Sequence, residues 1–108
     1  MSKFMVLYRS STSAREQMAN ATPEQMEAGL AGWRAWAEKV SYALTDLGSP
    51  LAHTTHVGPG SSSADGVAGY SIVEAGSTEE VESILFGHPH LAMPGNSIEV
   101  LELIQMGG

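Results

Sequence analysis

The sequence predicts a single α+β domain with the element order β-α-β-β-α-β and one four-stranded antiparallel sheet. Three observations carry that expectation. Four short segments are rich in β-favouring residues, and two helices are announced by N-terminal capping boxes between them. The third observation is length: 108 residues can bury one core but not two, so residues 1–108 read as one domain.

The first strand is expected over residues 3–9, where Phe4, Val6 and Tyr8 point one way and Met5, Leu7 and Arg9 the other. Both sets are largely apolar, so this strand needs cover on both sides. Helices supply one cover, and a second sheet from another subunit would supply the other. Residues 10–21 form a polar connection that could hold a helical turn around residues 14–20.

The long helix opens at Thr22-Pro23-Glu24-Gln25, with Thr22 as N-cap, Pro23 at the first helical position and Gln25 completing the box. Met26, Leu30, Trp33, Ala37, Val40, Leu44 and Leu47 recur at steps of four and three, which predicts about seven turns. Gly48 and Pro50 are read as its stop.

A second strand is expected over 51–57 and a third over 67–75, joined by the Gly/Ser-rich connector 58–66 as a wide hairpin. Ser77-Thr78-Glu79-Glu80 opens a short helix with Val81, Ile84 and Leu85 facing inward and Gly87 as its stop. Residues 97–106, with Ile98, Val100, Leu101, Leu103 and Ile104, form the closing strand. Helices in this order on one face of the sheet give the split βαβ, ferredoxin-like arrangement.

Composition narrows the function classes. Apolar residues make up 43% and charged residues 16%, a globular profile whose low charge predicts partner cover, most simply a homodimer. Twelve acidic against five basic residues give a net charge of -7, with Lys3, Arg9, Arg15, Arg34 and Lys39 scattered, so nucleic acid is not expected as a partner. No apolar run approaches the roughly 20 residues of a membrane span, and the N-terminus lacks a signal-peptide layout, which predicts a cytoplasmic protein with no membrane partner. The absence of cysteine removes thiol nucleophiles, disulfides and cysteine-ligated metals. No phosphate-binding glycine loop, Gly-x-Ser-x-Gly elbow, His-Glu-x-x-His or EF-hand loop is present, so no cofactor is expected.

The candidate chemistry rests on four histidines, in His53-Thr54-Thr55-His56 and His88-Pro89-His90. Pro89 fixes the backbone between His88 and His90 at a site-like position. In one reading either imidazole is a general acid or base, oriented by Asp46 or Glu99. In the other, His88 caps the short helix and His90 bonds to a neighbouring main chain. A histidine–carboxylate metal site using Asp46, Asp65 or Glu99 is disfavoured, because histidines three apart on a strand point to opposite faces; no metal is expected. Trp33 is assigned to the core. Trp36 lies toward the helix flank, where with Tyr70 and His53 it could contact a small planar ligand. Glu99, in an otherwise apolar strand, either faces solvent at an edge or is buried with a partner.

The chain resembles the YCII-related family of small dimeric α/β-barrel proteins. The matching segments are Lys3-Phe4-Met5-Val6-Leu7-Tyr8, Pro23-Glu24-Gln25-Met26 continuing to Trp33-Arg34-Ala35-Trp36, Asp46-Leu47-Gly48-Ser49-Pro50-Leu51, Gly69-Tyr70-Ser71-Ile72-Val73-Glu74-Ala75, and His88-Pro89-His90-Leu91 before Ile98-Glu99-Val100. The resemblance implies a ferredoxin-like protomer whose sheet meets its twin to make a barrel. Some members look like enzymes built on a His-Asp pair, with the Asp in an Asp-Pro step after the second helix and the His near the start of the first. Here His88-Pro89 stands at the Asp-Pro position and the long helix starts without a histidine, so that dyad does not transfer. The location does: a pocket near the end of the second helix, where His88 and His90 meet the long helix and the second strand. The expected function is a lyase- or isomerase-like enzyme acting on a small organic molecule; the alternative is a non-catalytic dimeric module that binds a small ligand or regulates.

Overall fold

The computed structural model describes residues 1–12, 14–52, 55, 57–60 and 66–106. Its elements are β1 (Ser2–Arg9), α1 (Ala14–Asn20), α2 (Pro23–Lys39), β2 (Leu44–Pro50), β3 (Val67–Ala75), α3 (Thr78–Leu85), a 3₁₀ turn (Pro89–Ala92) and β4 (Ser97–Glu102). The strands lie in the order β2-β3-β1-β4 with antiparallel neighbours throughout, which is the ferredoxin-like α+β arrangement with a short extra helix after β1.

Local signals fix the element starts. The Thr22 hydroxyl accepts from the Gln25 N–H at 3.1 Å while the Gln25 side chain accepts from the Thr22 N–H at 2.9 Å, so the predicted box is complete. At α3 the reciprocal half shifts by one residue: Ser77 caps Glu80 N–H, and the Glu80 carboxylate takes the Gly76 N–H.

Alternation along β1 and β3 divides the sheet into two faces. Phe4, Val6 and Tyr8 with Ser71, Val73 and Ala75 are buried beneath α2 and α3, where they meet Trp36, Val40, Val81, Ile84 and Leu85. The other face carries Met5, Leu7, Tyr70 and Ile72 in the register Met5–Ile72 and Leu7–Tyr70, with Leu101 opposite Met5 on β4. The first four are half-buried and Leu101 is 48% exposed; among the described residues the core-forming side chains of α2 and α3 pack on the opposite face.

Three expectations need correction. The long helix stops at Lys39, with the Val40 N–H closing on Trp36 and Glu38, rather than running to Leu47. Leu44 and Leu47 belong to β2, so the second strand comes earlier than 51–57; residues 51, 52, 55 and 57 are in no strand. Pairing with β3 decides this, since Glu74 N–H bonds Ala43 C=O at 2.8 Å and Leu44 sits opposite Val73. Gly48 is therefore no helix cap. It has φ +82° in an irregular stretch of β2, where a Cβ would overlap the Tyr70 carbonyl oxygen. The closing strand likewise ends at Glu102, not 106.

Candidate functional site

The chain leaves α3 through Phe86 and Gly87 (φ +73°, the left-handed region) and turns into His88-Pro89-His90. Pro89 opens the 3₁₀ turn and His88 is its N-cap. The His88 Nδ1 accepts the His90 N–H at 2.9 Å, and the His88 N–H donates to Leu85 C=O at 3.1 Å. With Nδ1 accepting, the neutral ring carries its proton on Nε2.

That ring is 1% exposed. It is enclosed by Tyr8, Trp33 and Trp36, with ring centroids 4.9, 4.5 and 4.4 Å away, both tryptophans edge to face. Its Nε2 has no hydrogen-bond partner among the described residues. Burial, reinforced by the proximity of His90, pushes the His88 pKa down to about 4. The imidazole is therefore uncharged at neutral pH.

His90 is engaged differently. Its Nε2 lies 2.9 Å from Arg9 C=O and 3.1 Å from Ser97 C=O, so one N–H is shared between the end of β1 and the start of β4. The Asn96 amide donates to the His90 carbonyl at 3.2 Å. The pair thus pins a corner of the sheet to the end of α3. Beneath it the Tyr8 hydroxyl donates to Ser71 Oγ at 2.8 Å, and Ser71 donates to Leu47 C=O at 2.6 Å. Burial pushes the Tyr8 pKa up to about 12, against the lowering effect of the Ser71 bond.

The carboxylates stand elsewhere. Asp46 is exposed on β2, its Oδ1 accepting the Gly48 N–H at 2.9 Å, and Glu99 is exposed on β4. These are the two opposite edge strands. Glu99 pairs with Arg9 at 3.2 Å, at a position whose register puts it on the uncovered face, opposite Leu7. Among the described residues neither carboxylate bonds an imidazole. Among the described residues no group of three His, Asp or Glu side chains could hold a metal ion.

Of the candidate ligand contacts, Tyr70 is on the uncovered sheet face and Trp36 on the helical side, so one cleft does not take both. Trp36 is core rather than flank: it is 5% exposed, and its indole N–H donates to Ile84 C=O at 3.0 Å. Because α2 ends early, Trp36 and Val40 are the positions that meet the sheet, and Trp33 packs beside them. His53 and His56 lie outside the described residues.

What is open to solvent near the histidines is a groove of about 300 Å³ between α2 and the turn. Gly32, Ala35, Trp36 and Lys39 line one side, at the i, i+3, i+4, i+7 spacing of a single helix face, and Phe86 and Pro89 line the other. At Gly32 the helix runs close to the turn; a Cβ there would meet the Pro89 ring at 3.5 Å, an ordinary van der Waals contact. Lys39, Phe86 and the enclosing roles of Tyr8 and Trp33 were not singled out from the sequence. Only the helical spacing of 32, 35, 36 and 39 hinted at one shared surface.

No protein-family model and no curated protein matches the sequence. Among solved structures, the chain is similar to 5-chloro-2-hydroxyhydroquinone dehydrochlorinase from Burkholderia phenoliruptrix AC1100, in complex with 2,5-dihydroxybenzoquinone. The identity is 20%, the match covers 92% of this chain and 91% of that one, and the TM-score is 0.48. A likeness of that degree carries nothing about activity. Among the described residues no helix is long and apolar enough to cross a membrane.

Proposed function

We propose that this protein is a homodimeric, non-catalytic module that holds a small organic molecule in the groove over the end of α3, its His88 and His90 serving the fold. One observation carries the reading: the half-buried His90 is already bonded to two main-chain carbonyls, and His88 is sealed inside its aromatic enclosure. A general acid or base must come within hydrogen-bond reach of a substrate proton, and neither ring faces the groove. The groove is near the end of α3, as is the pocket the resemblance to the YCII-related family implies, but His88, His90 and the second strand do not line it. The dimer is supported by the uncovered sheet face, whose Met5, Leu7, Tyr70, Ile72 and Leu101 would pack against the same residues of a second copy.

Diethyl pyrocarbonate labelling read by peptide mass spectrometry tests the sealed imidazole. The folded protein is expected to leave His88 unlabelled under conditions that label it after urea denaturation; fast labelling of native His88 would contradict the reading. Sedimentation equilibrium tests the dimer. The protein should run at twice its 11.4 kDa chain mass and Ile72→Asp near the chain mass, while a monomeric unsubstituted protein would remove the dimer.

A second reading is a lyase- or isomerase-like enzyme using His88. It is favoured by one fact, the unpartnered Nε2 on an imidazole that is uncharged at neutral pH. It requires Trp33 and Trp36 to part and admit substrate, and native-state labelling of His88 is what would support it.

A further inference from the structure

Phe86 is 81% exposed on the rim of the groove, next to Gly87 with its positive φ. A phenyl ring left in water beside an apolar channel gives up the burial that would otherwise stabilise it. Across the groove from Phe86 and Pro89 runs the α2 face of Gly32, Ala35, Trp36 and Lys39. At about 300 Å³ the groove suits a small molecule and is too small for a helix of a partner protein. Lys39 is the charged residue lining it, in a chain whose net charge is -7, and it forms no ion pair among the described residues. An anion would be repelled by most of this surface and attracted here.

We propose that the groove is a binding site for a planar aromatic carboxylate, its ring lying between α2 and the Phe86–Pro89 side and its carboxylate on the Lys39 ammonium. This rests on the small-molecule module reading and gives that module its ligand class. A flat ring suits the groove, because Gly32 and Ala35 present no bulky side chain on the α2 side while Phe86 offers an exposed ring on the other. Lys39 in the last turn of α2 selects the charge.

The test uses benzoate as probe, with neutral benzamide as its near-isostere, against the intact protein. Excitation of tryptophan reports directly, since the chain has only Trp33 and Trp36 and the second lines the groove. Benzoate is expected to give saturable quenching in the millimolar range and benzamide to bind at least about tenfold more weakly, the size of one charge-assisted hydrogen bond. Lys39→Gln should bring benzoate down to the benzamide level, Lys39→Arg should restore the preference, and Phe86→Ala should weaken both probes. Both positions are exposed, so the variants keep the fold. The proposal is overturned if benzoate shows no saturation, or if Lys39→Gln binds it unchanged. If benzylamine saturates the same signal while benzoate does not, the ligand class fails and the module reading stands. If neither probe nor cyclohexanecarboxylate perturbs Trp36, the groove is no ligand site and both fail.

Discussion

Acid should destabilise this protein through His88. The folded state holds the His88 pKa near 4, mainly by burial, whereas the unfolded chain returns it to 6.5. Between those values the unfolded state binds the extra proton, so stability falls as pH falls. It is fully present above about pH 6.5, declines through the interval, and has lost the whole contribution below about pH 4. The difference is 2.5 pH units at about 1.36 kcal/mol each, or about 3 kcal/mol. That is a large share of the roughly 5–15 kcal/mol by which a domain is stable.

The assay is urea unfolding followed by tryptophan fluorescence at fixed protein concentration, from pH 7.5 to 4, for the protein and for His88→Phe. At pH 7.5 the variant should be less stable by about 1–3 kcal/mol, because the His90 N–H loses its acceptor in a buried place. Phenylalanine does not titrate, so the gap should close and then reverse as pH approaches 4. A stability difference between the two that stays constant across the range would refute the reasoning, since it would mean that the folded protein takes up the proton as readily as the unfolded chain. Other titrating groups act on both proteins and cancel in the difference.

Further predictions concern the sheet beneath the site. Gly48→Ala should cost about 2 kcal/mol or more in urea unfolding, since alanine meets both the positive φ and the Tyr70 carbonyl. Tyr8→Phe removes the donor to Ser71 and should cost about 1 kcal/mol, with one fewer phenol titrating near pH 12 by ultraviolet absorbance. Trp36→Phe should lose about 2–4 kcal/mol, from the indole bond to Ile84 and the volume left in the core.

The starts of the elements were legible because their causes are local: Thr22 and Gln25 bond each other, and Phe4, Val6 and Tyr8 alternate within one strand. The end of the long helix was not, because Leu44 and Leu47 happen to continue its spacing while their actual partners lie on β3. Gly48 misled for a physical reason. A helix stop and an irregular strand both call for a residue at positive φ, and glycine answers either. Pro50 fits the corrected assignment equally well, since β2 is an edge strand. At the site, the proximity of His88 and His90 could be read from Pro89 alone. The direction of the rings could not: it is set by Tyr8 on β1 and by Trp33 and Trp36 on α2, which β2, β3 and α3 separate from His88 in sequence.

The two faces of the sheet point to a division of labour. On the helical side the core is closed, and its most polar buried ring, His88, has one nitrogen bonded and the other against aromatic rings. Leaving a donor unpaired costs about 1–3 kcal/mol, but the edge-to-face tryptophans on that ring return part of it. Such an arrangement holds the turn rigid rather than available. The opposite face is apolar at its centre, Met5, Leu7, Tyr70 and Ile72, while Lys3 facing Glu74 and the Arg9–Glu99 pair keep charge at its margins. Apolar centre and charged rim are the layout of a surface meant to be covered. In the proposed dimer the groove at the end of α3 lies away from both sheet faces, so that the proposed ligand would come and go without disturbing core or interface.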